Sequence, residues 1–195
     1  MSSQKIRLLI GLGNPGDAYR ETRHNAGFLV LDKVAETFSI VMGRKKFDVV
    51  MGRGLIGSHE VILAKPQAYM NRSGPPVLML ADYFKISSEE MLIVHDDIDL
   101  AFGRIKIKEH GGHGGHNGLR SLIEAFGSGN FVRLRVGIGR SEAFTVTDHV
   151  LGRFSADENA VLDQVIGKAG DAVVTILNKG IREGMNTFNQ RKVIT

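Results

Sequence analysis

Ile6-Arg7-Leu8-Leu9-Ile10-Gly11-Leu12-Gly13-Asn14-Pro15-Gly16 is a short apolar run that breaks on glycines. It reads as a buried strand ending in a tight turn, and the residues beyond that turn decide the fold. The spacing of Gly11, Gly13 and Gly16 fits G-x-G-x-x-G, the loop that seats a dinucleotide pyrophosphate. Such a loop must open a helix and be followed by a strand ending in an acid about 20 residues on. Here Asn14-Pro15-Gly16 is a turn signal instead. Asp32, the acid at suitable spacing, falls inside a helical pattern. The residues argue against a nicotinamide or flavin site. A plain tight turn explains the glycines but leaves Asn14 without a role.

Working outward, Phe28, Leu31, Ala35 and Phe38 recur at helical spacing and predict an amphipathic helix over 26–38. Residues 47–55 and 60–64 read as two strands joined across Gly57-Ser58. Ser73 is placed to cap a helix with Pro75 in its first turn and Val77, Leu80, Ala81 and Phe84 facing inward. Residues 91–94 form the next buried strand, delivering His95-Asp96-Asp97 at its end. Residues 104–108 alternate as a half-exposed strand does. A helix over 119–126, capped by Asn117, and a strand over 131–138 come next. Ser155 and Glu158 form a capping box that opens a long helix. Strands interleaved with helices predict an α/β fold. The expected architecture is one domain over 1–195, a mixed, mostly parallel, twisted sheet flanked by helices. The hairpin near 47–64 excludes a purely parallel sheet.

Length and composition agree with one well-filled domain: 195 residues, 43% of them hydrophobic. The absence of cysteine excludes disulfides, thiolate catalysis and Cys-ligated zinc, and it is compatible with a reducing cytoplasm. The apolar stretch from Ile6 to Leu12 is too short for a signal-peptide core. Nothing approaches the roughly 20 apolar residues that cross a bilayer, so the expectation is a soluble cytoplasmic protein with no membrane partner. A net charge of +4 favours an anionic partner.

The chemistry concentrates in two His-Asn pairs beside glycine, His24-Asn25 and His116-Asn117. Histidine titrates near neutrality, and an asparagine amide both donates and accepts hydrogen bonds. His24 has a bland alternative, a helix N-terminal residue with Thr22 as cap and Arg23 solvated. As a base it needs a carboxylate to fix its tautomer. Asp96 and Asp97 end a central strand, where open α/β sheets place their ligand crevices. Alternation puts the two on opposite faces, so one of them meets His24, and spacing does not choose which. With no G-x-S-x-G elbow and no cysteine, base-assisted attack by water is the fitting chemistry. The turn asparagines 14, 25, 71 and 117 supply neutral groups for a carbonyl and its oxyanion. His110, His113 and His116, with upstream aspartates, raise the rival of a metal hydrolase. The run Gly111-Gly112-His113-Gly114-Gly115 is too flexible to clamp an ion cheaply, and His110 and His113 read as loop polarity.

A resemblance sharpens this. The run from Tyr19 through Thr22-Arg23-His24-Asn25-Ala26-Gly27 to Asp32 resembles the first signature of the bacterial-type peptidyl-tRNA hydrolases. Residues 112–122, containing Gly115-His116-Asn117-Gly118, resemble their second. Lys65-Pro66-Gln67-Ala68-Tyr69-Met70-Asn71-Arg72-Ser73-Gly74 and Val94-His95-Asp96-Asp97-Ile98-Asp99-Leu100 match between them, in order. The likeness spans nearly the whole chain and is weakest at 44–57 and in the final third.

The resemblance implies a monomeric, cofactor-free and metal-free esterase. It would cleave N-blocked peptide from the tRNA of prematurely released peptidyl-tRNA. It assigns His24 as general base and Asp96, rather than Asp97, as the group orienting it. It places Asn14, Asn71 and Asn117 on the peptide and its ester carbonyl, with Tyr19, Met70 and His116 at the substrate. Lys108 and Arg135 fall where the family grips the 5′ phosphate of the acceptor stem. Two rivals remain: a metal-dependent hydrolase and a non-catalytic RNA- or ribosome-binding module.

Overall fold

The apolar run near the N-terminus forms β1 (Leu8–Gly11), buried along its whole length. The next elements are α1 (Ala26–Thr37), β2 (Arg44–Lys46), β3 (Val49–Ile56), β4 (His59–Pro66) and α2 (Gly74–Phe84). After these come β5 (Met91–Asp97), β6 (Ile105–Lys108), α3 (Asn117–Phe126), β7 (Val132–Gly137), α4 (Val146–Leu151), α5 (Ala156–Lys179) and α6 (Ile181–Phe188). The computed structural model describes residues 5–190.

The strands form one mixed sheet in the order β2-β3-β4-β1-β5-β7-β6. Strand β1 lies parallel to both β4 and β5, and β5 is parallel to β7. Among the described strands β3 and β6 run against the rest, β3 as the antiparallel hairpin 47–64 requires. Strand alternation sends Leu9, Leu63, Leu92, Val94, Leu134 and Val136 to a face covered by α1 and α5. It sends Leu8, Ile10, Ala64, Met91 and Ile93 to a face covered by α2 and α3. Helices on both faces of a mostly parallel core are what near-continuous apolar strands need.

Two close approaches bind α1 to the centre of the sheet. A Cβ at Gly27 would lie 2.3 Å from the Val94 carbonyl oxygen and 2.5 Å from the Leu12 nitrogen. A Cβ at Gly13 would meet the Phe28 ring at 2.7 Å. The glycines after β1 therefore make room for α1 packing. The helix itself starts only at Ala26, after two 3₁₀ turns, Asp17–Tyr19 and Arg23–Asn25. Asp32 forms a surface ion pair with Lys65 at 2.5 Å. These observations agree with the sequence pattern in disfavouring a dinucleotide loop.

Helix starts differ from expectation in two places. The Ser73 hydroxyl donates to the Met70 carbonyl rather than capping α2, and the Gly74 N–H is accepted by Ser121 Oγ from α3 at 2.9 Å. Helix α3 is capped by His116, not Asn117: its Nδ1 accepts the N–H groups of Gly118 and Leu119 at 3.1 and 3.3 Å. A ring nitrogen can satisfy the orphan donors of a first turn as an oxygen does, though no N-cap preference scale would signal it. The Ser155–Glu158 capping box forms as expected. Three elements go unread in the sequence: the short edge strand β2, the six-residue α4, and α6, separated from α5 by Gly180.

Candidate active site

The parallel strands β1, β4 and β5 end on the same side of the sheet, and the connections leaving them converge there. The β1 loop brings Asn14 and Tyr19, the 3₁₀ turn before α1 brings His24, and the segment after β4 brings Met70 and Asn71. Strand β5 ends in Asp96, and α3 begins beside His116 and Asn117. Together with Lys108 and Arg135 these line a single cleft of about 660 Å³. All ten residues to which the resemblance assigns a role line it.

Asp96 is the centre of the polar network. It is 1% exposed, and its Oδ1 lies 2.9 Å from His24 Nδ1 and 2.9 Å from His116 Nε2. Because His116 Nδ1 accepts two backbone N–H groups, its proton sits on Nε2 and is donated to Asp96. His24 donates from Nδ1 to the same oxygen, which leaves its Nε2 as the basic nitrogen. Burial alone lowers the His24 pKa and is the largest influence on it. The charge and hydrogen bond of Asp96 together outweigh burial and raise it above the usual imidazole value. Burial likewise raises Asp96, and the two imidazoles overcome it, holding the carboxyl well below the ordinary carboxylate range.

The structure also separates the two aspartates, as alternation required. Asp97 points away from His24 and pairs with Arg135 through Oδ2 at 2.5 Å.

Asn25 explains why Asn14 is so sharply placed. Its Oδ1 accepts the Asn14 N–H at 2.8 Å and its Nδ2 donates to the Asn14 carbonyl at 3.0 Å. The Asn14 side-chain oxygen accepts the Met70 N–H at 2.8 Å. The amide orientation is thereby fixed, and Nδ2 is the group Asn14 can turn to a ligand. Asn71, next to the Met70 that Asn14 holds, and Asn117 at the start of α3 are exposed and line the cleft. Tyr19 meets Tyr69 edge-on, ring centroids 6.4 Å apart.

The basic wall comes from strand register. Lys106 pairs with Arg135 and Lys108 with Arg133 between β6 and β7, so all four cations share one face of that strand pair. Arg133 is not among the residues the sequence singles out. It is buried and donates to the carbonyls of Gly111, Gly112 and Gly129, fastening the glycine-rich loop. Burial and the neighbouring Arg135 lower its pKa. Strict alternation in Arg133-Leu134-Arg135 is the signal that finds it.

His95 is a second such residue. Burial, reinforced by His116, pushes it down to about 3, so it is neutral, with Nδ1 donating to the Asp96 carbonyl at 2.7 Å.

Among the described residues, His110 and His113 of the glycine-rich loop join no metal-type cluster. His110 does not line the cleft, and His113 Nδ1 accepts the Gly115 N–H at 3.0 Å. His24, Asp96 and His116 do place three ligand-type atoms within 4.8 Å of one another. The two imidazoles, however, donate to one and the same oxygen, and the backbone bonds to His116 Nδ1 put a proton where a metal would need its Nε2 lone pair. The donor set fits a hydrogen-bonded dyad with a second histidine better than a cation. Among the described residues the lining holds no serine and no cysteine.

Fold and site together define an α/β enzyme with a carboxylate-backed histidine at the carboxyl ends of parallel strands. Comparison with known proteins is specific. A family model described as peptidyl-tRNA hydrolase matches residues 8–195. Relatives named peptidyl-tRNA hydrolase include one from Clostridium novyi (strain NT), 43% identical, with 93% of this chain and 97% of the relative covered. Another, from Geotalea daltonii, is 42% identical, covering 97% of this chain and 99% of the relative. The crystal structure of peptidyl-tRNA hydrolase from Acinetobacter baumannii superposes with a TM-score of 0.91 at 40% identity, covering 98% of each chain. The chain belongs to the peptidyl-tRNA hydrolase family.

Proposed function

We propose that this chain hydrolyses the ester joining an N-blocked peptide, or N-acyl amino acid, to the 3′-terminal ribose of tRNA. It would so recycle tRNA from peptidyl-tRNA released prematurely by ribosomes. The observation that carries the reading is the His24–Asp96 pair at 2.9 Å, in a cleft lined by both asparagine amides and cations. His24 Nε2 takes a proton from water as the hydroxide adds to the ester carbonyl. Such general-base help is typically worth about 10²–10⁴-fold, and Asp96 stabilises the imidazolium that forms. Amide N–H groups of Asn14, Asn71 and Asn117 receive the oxyanion. On collapse the imidazolium returns its proton to the departing ribose oxygen, giving free acid and tRNA. Tyr19 and Met70 flank the acyl group, and His116 steadies Asp96.

Two features support selectivity for a blocked amine. The contacts offered to the acyl end are neutral amides. The three lining carboxylates are each already engaged, Asp96 by two histidines, Asp97 by Arg135 and Asp99 by Arg140. A free α-ammonium would find no unmatched acceptor charge, and an unsatisfied buried polar group is strongly disfavoured. Lys108 and Arg135 grip the 5′ phosphate of the acceptor stem, which adds affinity independent of sequence. The working unit of this proposal is a monomer. A substrate made by ribosomes places the work in the cytoplasm. Among the described residues no helix is long and apolar enough to cross a membrane.

The test is release of N-acetylated amino acid from charged tRNA, against free aminoacyl-tRNA, with and without chelator. Rapid release of the blocked product alone, indifferent to chelator, supports the proposal. Equal rates on both substrates would overturn the selectivity, and loss of turnover with chelator would favour the metal reading.

A further inference from the structure

Arg23, the residue before His24, is not solvated. Its side chain is 12% exposed, and its contacts lead away from the catalytic pair toward a different part of the cleft. Nη1 donates to the carbonyls of Arg153 at 2.6 Å and His149 at 3.5 Å. Nη2 donates to Glu158 Oε2 at 2.6 Å, the same oxygen that accepts the Ser155 N–H in the capping box of α5. The guanidinium lies 5.6 Å from the Phe154 ring centroid. A Cβ at Gly152 would sit 3.2 Å from Nη1, so a bare backbone there gives the guanidinium its room.

These contacts matter because α4 cannot hold itself. It has six residues, far short of the roughly 12–15 at which isolated helices become even marginal. Beneath it is a satellite cluster with three buried members, Ile138, Val150 and Phe154. Yet α4 forms a wall of the cleft through Val146, Thr147, Val150 and Leu151. Two side chains tether it. His149 reaches the Ile138 and Gly139 carbonyls after β7, and Arg23 takes the carbonyls at its C-terminal end, where a cation also matches the helix dipole.

We propose that Arg23 is a positioning residue that fixes the α4 wall against the turn carrying His24, and so sets substrate affinity without touching the reacting atoms. The split between affinity and rate comes from the contacts that survive removal of the guanidinium. The Arg23 backbone N–H still bonds the Gly152 carbonyl at 3.0 Å, and the Thr22–Arg153 bridge remains. His24 stays held by Asp96, and the Asn25–Asn14 pair is untouched. The base keeps its place while the wall loosens.

The inference rests on the proposed hydrolysis for its kinetic arm only. Amide exchange is measured on the full chain for wild type, Arg23→Gln, Glu158→Gln and Arg23→Lys. Arg23→Gln should speed exchange in 146–152 at least about tenfold while α2 and α3 are unchanged, as local opening does. Glu158→Gln should give a smaller effect, and Arg23→Lys a partial rescue. With N-acetyl-aminoacyl-tRNA, KM should rise about tenfold in Arg23→Gln and kcat stay within about threefold. Exchange that is unchanged, or uniformly faster in every helix, overturns the proposal whatever the activity, as does a loss confined to kcat. A wild-type chain without hydrolytic activity would instead refute the functional reading and leave the exchange arm to decide.

Discussion

Asp96→Asn isolates the charge at the centre of the site. The two hydrogen bonds to Asp96 end on the same oxygen, Oδ1. An asparagine in the same pose keeps an acceptor there and places its NH₂ where Oδ2 was. The geometry survives and the charge does not. In the proposed reaction His24 becomes an imidazolium beside that position, with charge centres about 4 Å apart. At an effective dielectric constant near 20 the lost attraction is about 4 kcal/mol, or about 10³-fold in kcat. The pH profile should move as well. Asp96 outweighs burial to raise the His24 pKa; without it burial lowers the pKa below 6.5. Since the base acts when neutral, wild-type kcat/KM should rise with pH through a midpoint above 6.5. In the variant that acidic limb should shift to lower pH while the plateau falls. The assay is single-turnover release of N-acetyl amino acid from tRNA between pH 5 and 9. A plateau within tenfold of wild type, with the limb unmoved, would refute the assignment of Asp96.

Asn25→Ala removes both clamps on the Asn14 backbone and should cost about 1–3 kcal/mol of stability together with a fall in kcat, read by denaturant melts and turnover. Ser121→Ala orphans the Gly74 N–H at the start of α2; a loss of about 1–2 kcal/mol is expected by urea unfolding, with KM unchanged. Rising salt should raise KM if the β6–β7 cations hold phosphate, and Arg135→Ala should reduce the slope of log KM against log salt by about 0.7–0.9. A salt-indifferent KM counts against the grip.

The central strands and the long helices are legible because burial imposes a period on them: continuous apolar runs in β1 and β5, 3.6-residue spacing in α1 and α5. The edge strand β2 reads Arg44-Lys45-Lys46 and buries nothing, so no period marks it. Helix α4 is held by a guanidinium and an imidazole that its own apolar pattern does not announce. Within the site, alternation foretells that Asp96 and Asp97 diverge, and chain order at strand ends foretells the cleft. The choice of Asp96 comes from family resemblance, because spacing treats the two alike. Arg23 and His116 hide for a related reason. Each does its work through backbone groups, His116 on the N–H groups of α3 and Arg23 on the carbonyls below α4. Backbone partners leave no residue-type signal, and the side-chain partners Glu158 and Asp96 lie 135 and 20 residues away in sequence. Preference scales favour an amide as the cap of α3, which points to Asn117 where His116, one residue away, takes the part.

The claim that His24 is the base is tested most directly by His24→Asn. Single-turnover cleavage of N-acetyl-aminoacyl-tRNA should fall by at least about 10³-fold. The Kd for the uncleaved tRNA should stay within about threefold of wild type, because the cations and asparagines are untouched. Cleavage that persists within tenfold, or an equal loss of binding and rate, would contradict that role.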